Sequence, residues 1–171
     1  QEARNLKKLK FHKVFMTMIH KQTKLKYIPK NQKTSYSSIC EIFDLNFKKI
    51  LRLVPLLPAI KDDFIAMKDS CNDLHLICHD KSPYTGTYTL THRIKSQEKI
   101  INQPDICFKI YFDAKLLEVV SVCKETRINS SHPLHTDCSD LSLQLELNIF
   151  MLRWLDYCLE RYDGAQWIEN S

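Results

Sequence analysis

The chain has 171 residues, 44% of them hydrophobic and 26% charged, with 25 Lys and Arg against 20 Asp and Glu. That length fits one ordinary domain with a buried core, and the composition fits a folded chain. Two glycines in all exclude phosphate loops, dinucleotide fingerprints and Gly-x-Ser-x-Gly elbows, and no run approaches the ~18 apolar residues of a membrane helix.

Charge is concentrated at the start. Residues 1–34 hold ten basic residues against the single acid Glu2, so they carry +9 and leave −4 on the rest of a chain whose net charge is +5. A basic arm of this kind can hold nucleic acid by releasing counterions. It has few aromatics (Phe11, Phe15 and Tyr27) and one arginine, so it lacks a patterned nucleic-acid motif. The apolar run at 14–19 is too short for a secretory signal. Met16 and Met18 are alternative natural starts, which would make the first 15 or 17 residues an artefact of the gene start. The arm at 1–34 is therefore expected to be disordered or an interaction arm, with one folded domain at 35–163 and a tail at 164–171.

The first helix is predicted over 38–54. Ser38-Ile-Cys-Glu41 has capping-box spacing, and Ile39, Ile42, Phe43, Phe47, Ile50, Leu51 and Val54 recur on one helical face. Pro55 and Pro58 end it, since neither supplies a backbone donor. Residues 64–67 form a short strand. Leu74, Leu76 and Cys78 then alternate with His75, Ile77 and His79, a strand with one drier face. Turn chemistry at Asp80-Lys-Ser-Pro83 leads into a second strand, where Tyr84, Tyr88, Leu90, His92 and Ile94 alternate with threonines and Arg93. The polar stretch 95–105 reads as a loop.

A hairpin follows. Ile106, Phe108, Ile110 and Phe112 line one strand face, Asp113-Ala-Lys115 turns, and Leu117, Val119, Ser121 and Cys123 return. Both faces of this hairpin read as largely apolar, so a helix or another subunit should cover the second. The last element alternates at Leu141, Leu143, Leu145, Leu147 and Ile149, yet Leu, Gln and Glu favour helix. Period 3.6 selects Leu143, Leu147, Phe150, Trp154 and Cys158 as the stripe against the sheet, with Leu145, Leu152, Leu155 and Leu159 beside it. The prediction is one helix over 140–161, stopped by Gly164. The fold class is α+β: an N-terminal helix, an antiparallel sheet of four or five strands, and a long C-terminal helix packed on that sheet.

Seven cysteines, an odd number with no C-x-x-C pair and mostly in apolar runs, point to free thiols and a cytoplasmic protein. His132, His135, Asp137 and Cys138 are the densest set of possible zinc donors, but Pro133 lies between the histidines and no second cluster matches, so a solvated loop is expected and no metal. His75 and His79 lie ~13 Å apart along a strand and read as surface or rim histidines. No nucleophile motif stands out, and no catalytic residue or cofactor is assigned. The candidate cluster is Asp80, Tyr84, Thr85, Tyr111, Asp113 and Glu118, which the strand order gathers at one sheet end.

The order of motifs resembles the YqiB-like family of small bacterial cytoplasmic proteins, a domain of unknown function. The resemblance runs over about 36–160. It rests on Cys40-Glu41, Asn46-Phe47 and Leu53-Val54-Pro55, then on Asp80 with Tyr84-Thr85, and most specifically on Tyr111-x-Asp113-Ala114 with Glu118-Val119. Asn148-Ile-Phe150, Trp154-Leu155 and Cys158-Leu159 complete it. Phe112 stands where the family has His, and Ser142-Leu-Gln144 replaces an acidic-Lys segment. The resemblance implies a bacterial cytoplasmic protein with helix–sheet–helix order and brings no activity with it.

These readings favour a non-catalytic interaction module, an adaptor or small chaperone-like protein whose partner is another protein or itself as a homodimer. A small-molecule-binding protein or enzyme using the sheet-end cluster is the alternative, and nucleic-acid binding through the basic arm is the third reading. No membrane is expected as a partner.

Overall fold

A computed structural model describes residues 36–68, 71–95, 100–123, 126–127 and 141–170. Helix α1 (Tyr36–Leu53) leads through a short 3-10 turn (Leu57–Ala59) to strands β1 (Phe64–Ala66), β2 (Asp73–Lys81) and β3 (Thr85–Lys95). Strands β4 (Ile100–Tyr111), β5 (Leu116–Cys123) and β6 (Thr126–Arg127) follow, then helix α2 (Leu141–Tyr162) and strand β7 (Trp167–Glu169). The strands form one antiparallel sheet in the order β5-β4-β3-β2-β1-β7, with β6 pairing β4 beyond β5. This is the expected α+β arrangement with more strands than four or five.

One sheet face is the core. Leu74, Leu76, Tyr88, Leu90, Ile106, Phe108, Ile110, Leu117 and Val119 are fully buried there. Both helices cover them, α1 through Phe47, Ile50 and Leu53, and α2 through Met151, Trp154, Leu155 and Cys158. A smaller cluster of Ile39, Ile42, Leu145, Ile149 and Leu152 seals the helices against each other, and Lys49 pairs with Asp156 across that seam. The buried arc of α2 is wider than the predicted stripe. Leu145, Met151, Leu152 and Leu155 are buried, while Leu147 and Phe150 are only half-buried.

Several expectations need correction. Helix α1 begins at Tyr36, so Ser38 lies inside its first turn and not ahead of it as a cap. The stretch read as a loop at 95–105 belongs largely to β4, which starts at Ile100. Pro104 misled that reading. The β3–β4 register shifts between Thr91 and Arg93, so Pro104 sits in a bulge, where a strand tolerates a residue without an N–H.

A second bulge lies in the hairpin. Phe108 pairs with Val119 but Cys107 pairs with Ser121, which makes Val120 the extra residue. Beyond it the alternation reverses: Val122 packs against the core and Ser121 turns away. The second sheet face is therefore mixed and not largely apolar. Opposed pairs there are Asp73 with Arg93, His75 with Thr91, Thr87 with Lys109 and Lys109 with Glu118. No described helix covers it. His75 is 4% exposed, a buried residue and not a rim histidine, whereas His79 is exposed and its Nε2 lies 2.7 Å from Thr89 Oγ1.

The tail is also structured. Gly164, at φ +70°, releases the chain from α2, and residues 167–169 add β7 to β1. Trp167 anchors it, donating from Nε1 to the Leu53 carbonyl at 2.9 Å.

Candidate functional site

The β2–β3 and β4–β5 turns lie at the same sheet end. Thr85 pairs with Tyr111, and the Tyr84 carbonyl accepts the Phe112 N–H at 2.8 Å. Tyr84 itself is 67% exposed. Asp80, opposite Thr87, and Asp113, in the turn, are both exposed. Of the six candidates, side chains meet at one pair: Tyr111 donates its hydroxyl to Glu118 Oε2 at 3.1 Å.

That pair opens a chain of hydrogen bonds running inward. Glu118 Oε1 accepts from Gln144 Nε2 at 3.0 Å, and Gln144 Oε1 accepts from Asn148 Nδ2 at 3.0 Å. Asn148 Oδ1 accepts the Val119 main-chain N–H at 3.0 Å, while its carbonyl accepts from Asn46 Nδ2 at 3.0 Å. Asn46 and Asn148 are fully buried. One network thus joins β4, β5, α2 and α1. Asn46, Tyr111, Glu118 and Asn148 are residues that carried the family resemblance, and here each holds two elements together. Sequence reasoning missed Asn46, Gln144 and Asn148 as members; Asn148, a polar residue in an otherwise apolar helix stripe, was the available signal.

Proton affinities in this region fit a structural role. Burial first, then the neighbouring Glu118 charge and hydrogen bond, pushes the Tyr111 phenol up. Burial likewise raises the thiol of Cys78, helped by Asp63, and raises Cys158 well above the ordinary thiol value. Neither thiol is poised as a nucleophile. Burial lowers the Lys81 amine, whose Nζ lies 3.4 Å from the Phe112 ring centroid. Among the described residues no group of three His, Cys, Asp or Glu side chains could hold a metal. The His132, His135, Asp137 and Cys138 set lies outside the described residues.

A different region concentrates exposed apolar surface. Strand β7 ends the sheet, and Leu56, Met67 and Ile168, at 59%, 55% and 50% exposed, flank it. A shallow groove of about 280 Å³ lies at its Glu169 end, lined by Leu56, Ala59, Ile60, Lys61, Asp62 and Phe64 with Glu169. Another of about 340 Å³ lies at the Trp167 end, where Met67, Lys68, Asp163 and Ile168 contribute. Neither groove contains a residue of the predicted cluster.

Among the described residues no strand pairs with the outer edge of β7. The Asn170 N–H donates to the Asp63 carbonyl at 2.8 Å, so with Ile65 opposite Ile168 the hydrogen-bonded pairs fall at 63–170 and 65–168. Trp167 and Glu169 consequently turn their main-chain N–H and C=O groups outward. The opposite edge differs, because Asn148 takes up the Val119 N–H of β5. No helix among the described residues is long and apolar enough to cross a membrane.

No curated protein and no solved structure matches this chain. A family model described as a protein of unknown function (DUF1249) matches residues 49–163, from within α1 to the end of α2. The match takes in the Tyr111–Glu118–Gln144–Asn148 network and stops short of β7, and on that coverage the chain belongs to the DUF1249 family of proteins of unknown function.

Proposed function

We propose that this chain is a protein-interaction module, a YqiB-like bacterial cytoplasmic protein that docks partners along the β7 edge without catalysis. One observation carries the reading: Leu56, Met67 and Ile168 stand exposed beside an edge strand with outward main-chain groups. An open strand edge is a template for another strand, and apolar side chains beside it supply the desolvation that backbone hydrogen bonds alone do not. The unbridged thiols of Cys40, Cys78 and Cys158 support the cytoplasmic assignment.

The ligand or enzyme reading draws less support. Asp80, Tyr84 and Asp113 are exposed and line neither of the two grooves, and Glu118 is engaged with Tyr111 and Gln144. The nucleic-acid reading rests on residues 1–34, outside the described part.

The test is quantitative capture from source-cell lysate with wild type, Ile168→Lys and Tyr84→Ala. A partner retained by Tyr84→Ala and lost by Ile168→Lys is the expected result. Equal retention by Ile168→Lys would overturn the β7 assignment.

A further inference from the structure

The geometry of β7 points to a specific occupant, and we propose that it is the β7 strand of a second copy, paired antiparallel about a twofold axis through Ile168. This inference rests on the interaction-module reading and names its partner. The parity of the strand suits it. Trp167 and Glu169 present their N–H and C=O outward, so a twofold at Ile168 sets Trp167 against Glu169 of the second copy, and every outward group on both strands finds a partner. Ile168 then faces its own twin in a non-hydrogen-bonded pair, the closer of the two spacings. Because Ile65 is the neighbour of Ile168 within each copy, a row of four β-branched side chains crosses the junction.

Charge agrees with this orientation. The Trp167 end carries Lys68 and Asp163, and the Glu169 end carries Lys61, Asp62 and Glu169. An antiparallel twofold brings unlike ends together, with Lys68 toward the acids of the second copy and Asp163 toward its Lys61. A parallel arrangement would face like ends and forfeit that match. The interface is isologous and closes after two copies. With a short strand at its centre it belongs to the small, weak class of interfaces, with a dissociation constant on the order of 10 µM.

Sedimentation velocity on the full chain from about 1 to 200 µM reads the result directly. A concentration-dependent dimer is expected, weakened at least about tenfold by Ile168→Lys. Lys68→Glu should weaken it as well, and Lys68→Glu combined with Glu169→Lys should recover it, a rescue that unfolding would not produce. Circular dichroism checks that each variant is folded. A wild type that stays monomeric throughout, or a dimer that Ile168→Lys leaves intact, overturns self-pairing at β7. Those outcomes leave the broader docking reading to the lysate comparison, which fails on its own terms if Ile168→Lys retains every partner.

Discussion

Asn148, on the central turns of α2, holds the main-chain N–H of Val119 on β5 through its Oδ1 at 3.0 Å. The side chain does for an edge strand what a neighbouring strand would do, and it blunts that edge against pairing with another chain. Its own Nδ2 is engaged by the Gln144 carbonyl at 2.9 Å and by Gln144 Oε1.

Asn148→Leu should therefore destabilise the fold by about 2 to 4 kcal/mol, because it strands a buried N–H and removes the side-chain donor to Gln144 Oε1. Urea unfolding monitored by tryptophan fluorescence measures this. Glu118→Gln, which keeps an acceptor for Tyr111 at the half-buried start of the network, should cost less than about 1 kcal/mol.

Tyr88 presents the opposite case. Its ring is fully buried and its hydroxyl has no partner among the described residues. Tyr88→Phe should be neutral or stabilise by up to about 1 kcal/mol, since the lost group is unsatisfied. A Cβ at Gly86 would lie 2.6 Å from Tyr88 Cε2 and 2.7 Å from its hydroxyl. Gly86→Ala should then cost about 1 to 3 kcal/mol by overpacking, and part of that cost should return in the double variant with Tyr88→Phe.

Tyr162 fastens the end of α2 to the sheet, donating to the Asn72 carbonyl and lying 3.0 Å from His92 Nε2. With the tyrosine proton committed to Asn72, the His92 ring supplies the proton of the second bond. His92 also stands edge-on to Trp154, ring centroids 4.6 Å apart. Tyr162→Phe should destabilise by about 1 to 3 kcal/mol in thermal or urea unfolding.

Alkali should weaken the fold in a defined direction. Burial pushes the Tyr157 phenol from 10.0 up to about 12, and it pushes Tyr88 and Tyr162 further the same way. Folded-state values above unfolded ones mean that the native chain binds these protons more tightly. Their stabilisation is complete below pH 10 and is lost progressively as pH rises through 12 and beyond. Urea midpoints falling above about pH 10, with the phenolate absorbance of these three buried tyrosines appearing only on unfolding, would bear this out.

Much of this architecture was legible in the residues because apolar periodicity reports burial directly. The stripe of α1, the alternation of β2 and β3 and the turn at Asp113 all follow from it. The failures have local causes. Pro104 and its polar neighbours disguised a bulged strand, and Val120 reversed a pairing that alternation alone cannot detect. Strand β7 is too short for periodicity to register, and only its contact with β1, more than a hundred residues earlier, defines it. The sheet-end cluster was legible as a neighbourhood in the backbone, since strand order brings Thr85 beside Tyr111. Which side chains point inward was not, because it depends on the reach of Gln144 and Asn148 from a helix distant in sequence.

The union of β7 with β1 also sets an order of events. β1 emerges early and must wait for α2 and Gly164 before its second neighbour exists, so the Phe64–Glu169 pairing closes the longest loop in the sheet. Contacts of that span form late and open first. Native-state hydrogen exchange should find the Asn170 amide, bonded to Asp63, far less protected than amides of β3. The sheet is thus assembled from its middle outward, and the strand completed last is the one whose outer edge no described strand covers.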